Sequence, residues 1–465
     1  MRLYLLAVLC AAGLMMEGPA RGEEGLVSVQ LDPAKVICKS FLGFGAEWDS
    51  NDYDENGVTE SDFAVIRKRV EWMRLPVARI MMQCRWCYKG NGRYDWNDPK
   101  MIALYRQLEV CQKLGTTVLL TDWGIEQDWL KTPDVGKTED LKYADIISTY
   151  IDYLLNKKKY TCIKYFIQVN EPNLEVRDWN RWRQGVENVS AAFRAKGLEG
   201  KVALMGSDQS GGDDWHKHAV NQLQDTLGAY DIHHYATEEI VRSGGLFDYY
   251  KKNWEYALSR DPKAKAKPLV VGEAGSITPG FSAGNNPINL ESRYAVLMSD
   301  YAVQATNAGS WAVLAWMLDD NSHRGFNWGM WKNRNDGLAT KPWFYTWSLL
   351  SRCFPAGASI VRADLTSSDV RILAAYWDDK KSTGELYWSF CIVNRADSSR
   401  VVHLHMGGGP RLSLNRYAFS KTSAVIDKDG FPVALEKLPC NLDTGVGILC
   451  DANSVIVLSS IGDGK

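Results

Sequence analysis

The feature that most constrains the fold is an alternation of short apolar, strand-like segments with helix-like segments between residues 40 and 320. Strands that alternate with helices pair in parallel, because each helix returns the chain to the start of the next strand. The strand-like segments are SFLGFGAEWD (40–49), VARIMMQ (77–83), TTVLLTDWG (116–124), IKYFIQVNEPN (163–173), KVALMGSDQ (201–209), YDIHHYA (230–236), PLVVGEAGS (268–276) and SWAVLAWMLDD (310–320).

Eight such strands predict an α/β fold, a (β/α)8 TIM barrel over residues 36–354. An open, doubly wound sheet is the alternative. It is disfavoured because no G-x-G-x-x-G follows the first strand. In addition, polar or aromatic residues crowd the C-terminal ends of nearly all eight strands, where a barrel carries its active site.

Beyond the barrel, the chain changes to short runs of alternating apolar and polar residues separated by turn residues such as Gly407-Gly408-Gly409. This texture is typical of an antiparallel β-sandwich, which we predict for residues 355–465. The segment GLVSVQLD has the same character, so residues 21–35 are expected to add an edge strand to this second domain.

The first 20 residues have the features of a secretory signal peptide. Arg2 is followed by an apolar run over residues 3–16 and by small residues at 18–20. The run is too short to span a bilayer, and no later stretch reaches the roughly 20 apolar residues that a membrane helix needs. We therefore expect a secreted or periplasmic protein without a membrane span.

Lipid anchoring is the less favoured alternative for this N-terminus. Cys10 precedes small residues, as a lipoprotein cysteine does, but Leu9 fits that motif poorly.

The charge balance argues against a nucleic-acid partner, and the cysteine spacing argues against a zinc site. The 54 basic and 56 acidic side chains nearly balance, and no segment gathers the cationic stripe that binding to nucleic acid requires. Cys84 and Cys87 form a C-x-x-C pair without a second pair or a nearby His, so we expect buried thiols or a local disulfide rather than a zinc site. Cys440 and Cys450 are the best candidates for a disulfide.

Two glutamates end opposite strands of the predicted barrel. Glu171, in FIQVNEPN, ends the fourth strand, and Glu273, in VVGEAGS, ends the seventh. The C-terminal ends of barrel strands surround the active-site mouth, so the two carboxyl groups are expected to face each other. A carboxyl pair suits glycoside hydrolysis, in which one group protonates the leaving oxygen while the other attacks or activates water.

These motifs resemble the clan A glycoside hydrolases, retaining β-glycosidases built on a (β/α)8 barrel, over roughly residues 40–354. The combination of secretion, barrel and sandwich is similar to families 5, 30, 39 and 158. In that clan an Asn-Glu pair, usually followed by Pro, ends the fourth strand. The resemblance implies that Asn170 binds the sugar 2-hydroxyl, that Glu171 is the acid/base and that Glu273 is the nucleophile.

The resemblance also implies four supporting residues. A His-x-Tyr ends the sixth strand, so His233 would line the pocket and Tyr235 would orient the nucleophile. Arg79, on the second strand, would bond the nucleophile and keep it ionised. Trp316, on the eighth strand, would form the floor of the first sugar site.

The motifs do not assign a role to Glu47 or to several tryptophans. Glu47 ends the first strand, and either binding of sugar hydroxyls or capping of the barrel rim accounts for it; we assign it no catalytic role. Tryptophans near strand ends are candidates to stack on successive sugar rings. They are Trp48, Trp86, Trp123, Trp129, Trp215, Trp328 and Trp331.

Together these features predict a retaining β-glycoside hydrolase that acts on a β-linked polysaccharide or oligosaccharide, with no metal and no organic cofactor. We expect Glu273 to be ionised, Glu171 to be protonated, and the two carboxyl groups to lie roughly 5 Å apart. Among substrates, we favour β-1,3-glucan and an endo-β-glucanase. The alternatives are an exo-acting β-glycosidase of the xylosidase, glucosidase or mannanase type, and a catalytically silent carbohydrate-binding barrel. Nothing in the sequence indicates the oligomeric state.

Overall fold

The computed structural model describes residues 25–49, 53, 57–321, 325–379 and 384–462. The predicted signal peptide and Cys10 lie outside these residues. Within the described ranges, none of the helices is both long and apolar enough to cross a membrane.

Eight parallel strands close into a barrel in chain order, which confirms the predicted fold class. They follow a first strand, β1 (Leu26–Phe41), that belongs to the second domain. The barrel strands are β2 (Gly43–Trp48), β3 (Val77–Met82), β4 (Thr117–Asp122), β5 (Ile163–Ile167), β6 (Ala203–Ser210), β7 (Leu227–Thr237), β8 (Leu269–Ile277) and β9 (Ala312–Ala315).

Apolar side chains fill one layer of the barrel interior, which is therefore a packed core rather than a pore. This layer consists of Val77, Leu119, Ile167, Met205, Ala229, Val270, Ala312 and Leu314.

Most helices lie between consecutive barrel strands, and their ends follow local sequence signals. The first begins at Thr59, whose side chain accepts a hydrogen bond from the backbone N–H of Asp62 while Asp62 accepts one from the backbone of Thr59. The helices are α1 (Glu60–Met73), α2 (Cys84–Cys87), α3 (Pro99–Leu114), α4 (Leu141–Asp152), α5 (Pro172–Glu175), α6 (Trp179–Ala195), α7 (Asp214–Gln222), α8 (Glu238–Ser243), α9 (Gly245–Arg260), α10 (Ser292–Asn307) and α11 (Trp343–Cys353).

The second domain is a nine-stranded sheet with its own apolar core. Its other strands are β10 (Ala358–Leu365), β11 (Val370–Asp378), β12 (Leu386–Asn394), β13 (Arg400–His405), β14 (Arg411–Phe419), β15 (Glu436–Asn441), β16 (Val446–Cys450) and β17 (Ser454–Ser459). The spatial order is β15-β14-β17-β12-β11-β10-β1-β13-β16, antiparallel except where β1 pairs with β13.

Strand β1 is an interior strand rather than the expected edge strand. It pairs with β10 on one side and with β13 on the other. Val27, Val29 and Leu31 alternate into the core and are at most 2% exposed. Alternation predicts a strand with one buried face, but the position within the sheet depends on β13, which lies far along the chain.

The predicted Cys440–Cys450 disulfide is wrong. Both residues are buried free thiols, and so are the other seven cysteines that the structure describes. Cys84 and Cys87 follow the buried-thiol alternative. Cys440 and Cys450 pack in the sheet core as small apolar side chains.

Candidate active site

The barrel mouth brings Glu171 and Glu273 together. Glu171 follows β5, and Glu273 lies within β8, on the opposite side of the barrel. One carboxyl oxygen of each residue lies within 4.8 Å of the other. Such a short separation matches direct attack by a carboxylate, since a water molecule between two carboxyl groups needs roughly 6.5 to 9.5 Å.

The backbone at Glu171 turns sharply at the end of its strand. Its dihedral angles, φ 44° and ψ 59°, lie in the left-handed region, which few residues other than glycine adopt. The backbone N–H of Glu171 donates to Asp208 Oδ2 at 3.0 Å. Pro172 then begins α5, where its missing N–H costs no hydrogen bond. This turn explains the Asn-Glu-Pro sequence and aims the carboxyl group into the mouth.

Glu273 is held by donors on both carboxyl oxygens. Arg79 donates from Nη1 to Oε1, and the Tyr235 hydroxyl donates to Oε2 at 2.5 Å. Gly272 allows this close packing, because a Cβ atom there would collide with the carboxyl group of Asp231 on the neighbouring strand. The side chain of Glu273 is therefore fixed in position before any ligand binds.

Arg79 also binds the neighbouring polar groups. Its Nη2 donates to Asn170 Oδ1 and to Asp208 Oδ2, both at 2.9 Å. Burial lowers the pKa of Arg79, but the charges of Asp208 and Glu273 outweigh burial and raise it. The guanidinium is thus a permanent cation at the centre of the site.

His233 lies between three carboxyl groups. Its Nδ1 is 3.0 Å from Glu171 Oε1 and 3.6 Å from Glu273 Oε2, and its Nε2 is 2.9 Å from Asp208 Oδ1. Burial lowers the pKa of His233, yet the charges of Asp208 and Glu273 raise it well above its usual value. The imidazole is therefore a cation that donates from both nitrogens.

The pKa values of the two glutamates shift opposite to the expectation from their roles. For Glu171, burial raises the pKa, but the hydrogen bond and charge of His233 reverse that effect and lower it. For Glu273, burial raises the pKa more than His233 and Arg79 lower it. Burial is the largest cause in both cases, and the two glutamates differ in that His233 forms a direct hydrogen bond with Glu171 while the charge of Glu171 further raises the pKa of Glu273.

Asp208 is a central residue of the site that the sequence did not reveal, and the lining residues Gln127, Glu175 and Ser210 were likewise not predicted. It is fully buried at the end of β6, with a φ of 58°, and accepts hydrogen bonds from Arg79, from His233 and from the backbone of Glu171. Burial raises the pKa of Asp208, but Arg79 and His233 together hold it well below its usual range. The available signal was a lone acidic residue closing the fifth barrel strand, in MGSDQS.

Glu47 is not brought into the cleft. It is fully buried, and neither of its carboxyl oxygens has a hydrogen-bond partner among the described residues. Burial and the charge of Asp49 raise the pKa of Glu47 well above its usual value, so it is a neutral acid inside the barrel. Neither the sugar-binding interpretation nor the rim-capping one describes this position.

A cleft of about 670 Å3 opens above the glutamate pair. Trp316 and Trp123 meet edge to face across its floor, with ring centroids 6.4 Å apart, and Trp129 extends the row from Trp123 at 5.8 Å. The lining residues are Trp123, Gln127, Trp129, Asn170, Glu171, Leu174, Glu175, Ser210, Tyr235, Glu273, Phe281, Ala283, Trp316, Phe326 and Trp328.

Four of the seven tryptophans proposed for stacking lie elsewhere. Trp48, Trp86 and Trp331 are at most 1% exposed and belong to the core between strands and helices. Trp215 packs against Trp179 on the outer helices. A position near a strand end therefore does not by itself place a side chain in the cleft.

Among the residues that the structure describes, two sets of side chains approach closely enough to hold a metal ion, with ligand atoms within 4.8 Å of one another. They are Glu171, His233 and Glu273, and Asp208, Asp231 and His233. His233 thus has several carboxyl groups close to it. Because His233 is protonated and Arg79 donates to a carboxylate of each set, these groups fit an ion-pair network better than metal ligands.

No protein-family model matches the sequence, and no curated protein does. The fold, in contrast, is similar to those of many solved structures. A glycoside hydrolase family 30 subfamily 8 xylanase from Clostridium acetobutylicum has a TM-score of 0.65 at 12% identity, covering 94% of this chain and 100% of that one. An endo-β-1,6-glucanase has a TM-score of 0.63 at 14% identity, covering 93% of this chain and 94% of that one.

A conserved exported protein from Bacteroides fragilis is similar too, with a TM-score of 0.67 at 11% identity, covering 93% of this chain and 100% of that one. At such low identities these likenesses concern the fold. The resemblance to clan A glycoside hydrolases is thus confirmed as a shared architecture of barrel and sheet domain, including that of family 30.

Proposed function

We propose that this protein is a retaining β-glycoside hydrolase in which Glu171 is the acid/base and Glu273 is the nucleophile. The observation that carries the proposal is the approach of their carboxyl oxygens to within 4.8 Å. This spacing favours a covalent glycosyl-enzyme intermediate over direct attack by water. The fold shared with glycoside hydrolases supports the same reaction class.

In the proposed reaction, a carboxylate oxygen of Glu273 attacks the anomeric carbon as the glycosidic C–O bond breaks. Glu171 gives its proton to the departing oxygen. Water then displaces Glu273 from the sugar after losing its proton to Glu171, which restores the starting state. Asn170, whose Oδ1 is bonded to Arg79, keeps its amide N–H groups for the sugar 2-hydroxyl, and Trp316 supports the ring from below.

The charges of the site account for the location of the proton. Arg79 and His233 supply two positive charges against the carboxyl groups of Asp208, Glu171 and Glu273, so one proton on the glutamate pair gives neutrality. In the free protein the pKa shifts favour that proton on Glu273. A sugar covering Glu171 raises its pKa, while positive charge developing at the anomeric carbon favours ionised Glu273. Substrate binding therefore moves the proton to Glu171.

For the substrate, we propose a β-linked polysaccharide cleaved within the chain, with β-1,3-glucan as the first candidate. Aromatic side chains line the cleft on opposite sides of the mouth, from Trp129 after β4 to Phe281 after β8. Such an extended lining favours several bound sugars over one. We also propose secretion, from the N-terminal sequence and from the likeness to an exported protein.

Release of reducing sugar from laminarin, β-1,6-glucan, xylan and mannan tests the proposal. We expect wild type to act on one of them, Glu171→Ala to lower kcat about 10²- to 10⁴-fold, and Glu273→Ala to abolish hydrolysis. Azide should restore turnover, giving a glycosyl azide of retained configuration with Glu171→Ala and of inverted configuration with Glu273→Ala. Glu187→Gln, at a half-buried position on α6 that does not line the cleft, is the control.

Binding of a glycan by wild type without any hydrolysis would refute the enzyme and favour the silent barrel. An inverted product from the wild-type reaction would refute the retaining mechanism alone.

A further inference from the structure

A hydrogen-bonded row of side chains borders the cleft beside Glu171. The indole N–H of Trp129 donates to Gln127 Oε1, and Gln127 Nε2 donates to the Glu175 carboxylate at 2.5 Å. Gln127 and Trp129 follow β4, whereas Glu175 ends α5, so the row joins two separate loops. All three side chains line the cleft that contains the glutamate pair.

The position of this row relative to the reaction follows from the helix that carries it. Helix α5 begins directly after Glu171, and the backbone N–H of Glu175 donates to the carbonyl oxygen of Glu171 at 3.0 Å. An acid that protonates the leaving oxygen must lie on the leaving-group side of the bond, opposite the nucleophile. Residues one turn beyond Glu171 therefore border the space that the departing sugar occupies.

Resting on the proposed function, we propose that Gln127 and Glu175 form the polar wall of the leaving-group subsite. Glu175 is then a specificity-determining residue that binds hydroxyl groups of a neutral sugar.

The chemistry of the row suits that ligand. An ionised carboxylate accepts hydrogen bonds from sugar hydroxyls and repels a uronic acid in the same place. Gln127 fixes the carboxylate before binding, which lowers the entropy cost of the contact. Trp129 adds an aromatic ring at one end of the row, and sugar rings stack on such surfaces through their C–H faces.

The test compares two substrates that share a glycone, laminaritetraose and 4-nitrophenyl β-laminaribioside, or the matching pair for whichever glycan the panel selects. We expect Glu175→Ala and Gln127→Ala to lower kcat/KM for the oligosaccharide about 10- to 100-fold, the worth of a hydrogen bond to a charged group. The kcat for the aryl glycoside should stay within about twofold, because its leaving group has no hydroxyls and Glu171 remains intact. Glu187→Gln should change neither value.

A merely structural role gives a different pattern. If Glu175 only positions Glu171, the removal of the intermediate by water slows, so the aryl glycoside kcat falls in parallel and the pH profile of kcat/KM moves. A fall in the aryl glycoside kcat, or a shift of the pH profile, would each overturn the assignment of Glu175 to the leaving-group subsite. Hydrolysis of neither substrate by wild type overturns the proposed function itself, and the subsite with it. Equal melting temperatures of variants and wild type exclude unfolding as the cause of a loss.

Discussion

The imidazole of His233 bridges the proposed acid/base and a buried aspartate: Nδ1 lies 3.0 Å from Glu171 and Nε2 lies 2.9 Å from Asp208. A cation thus contacts the residue that must release a proton. Its charge lowers the pKa of Glu171 and of Glu273 alike. The pH range of activity should therefore depend on His233.

Replacing His233 with Asn should move the whole pH profile of kcat/KM upward. Without the cation, both glutamate pKa values rise, so both limbs of the profile, which report the pKa values of the coupled pair in the free protein, shift the same way. A charge within hydrogen-bond distance is worth about one pH unit or more. His234→Asn is the control, because His234 stacks on Tyr249 instead. A reduced rate with an unmoved profile would mean that His233 is neutral.

Asp208→Asn should destabilise the protein by about 3 to 5 kcal/mol at pH 7, because Arg79 and His233 lose a buried counter-charge. The folded pKa of Asp208 is lowered. Its contribution is therefore fully present above the unfolded value of about 3.9 and disappears as pH falls toward the folded value. Denaturant unfolding at pH 7 and below pH 4 measures the difference. Asp225→Asn, at an 82% exposed side chain, should cost less than about 1 kcal/mol. An equal loss of unfolding free energy in the two variants would contradict a stabilising role for the buried ion pairs of Asp208.

The contrast between Glu273 and Asp208 indicates what the sequence could predict. Strand and helix periods fix the barrel, and a barrel places strand ends at the mouth, so Glu171 and Glu273 could be found from position alone. Asp208 also ends a strand, but its partners come from β3 and β7, and that meeting depends on strand register. Glu47 also ends a strand, but its side chain is fully buried, and that burial is not visible in the sequence.

The ionisation states of the two glutamates were less predictable from the sequence than their positions at the barrel mouth. Burial and His233 decide the two glutamate pKa values, and neither is visible in the Asn-Glu-Pro or Gly-Glu-Ala motif. The tryptophans show the same limit, since Trp328 and Trp331 are three residues apart, yet one lines the cleft and the other is core.

The buried cysteines should be unreactive in the native protein. Burial raises the pKa of Cys38, Cys162 and Cys450 to about 12, so hardly any thiolate exists at pH 8. We expect a thiol reagent to label none of the nine described cysteines before unfolding and all of them in denaturant without reductant. The melting temperature should not depend on reductant. Two missing thiols in denaturant would reveal a disulfide.

A buried carboxylate joins the barrel to the sheet domain. Asp300 on α10 of the barrel is 1% exposed and forms ion pairs with Arg371 of the sheet at 2.6 Å and with Arg395 at 3.4 Å. Asp300→Asn leaves two arginines without their counter-charge, so we expect a loss of about 2 to 4 kcal/mol in unfolding free energy. Asp364→Asn, in an exposed pair on β10, should have no measurable effect.

Activity measurements distinguish a purely structural junction from one that takes part in catalysis. Because Asp300 does not line the cleft, kcat/KM of the folded Asp300→Asn protein at 25 °C should equal that of wild type. We expect the variant to lose activity only near its lowered melting temperature, where the sheet no longer supports the barrel. A rate that already falls at 25 °C, with an unchanged melting temperature, would instead make the sheet domain part of the catalytic machinery and contradict a purely structural junction.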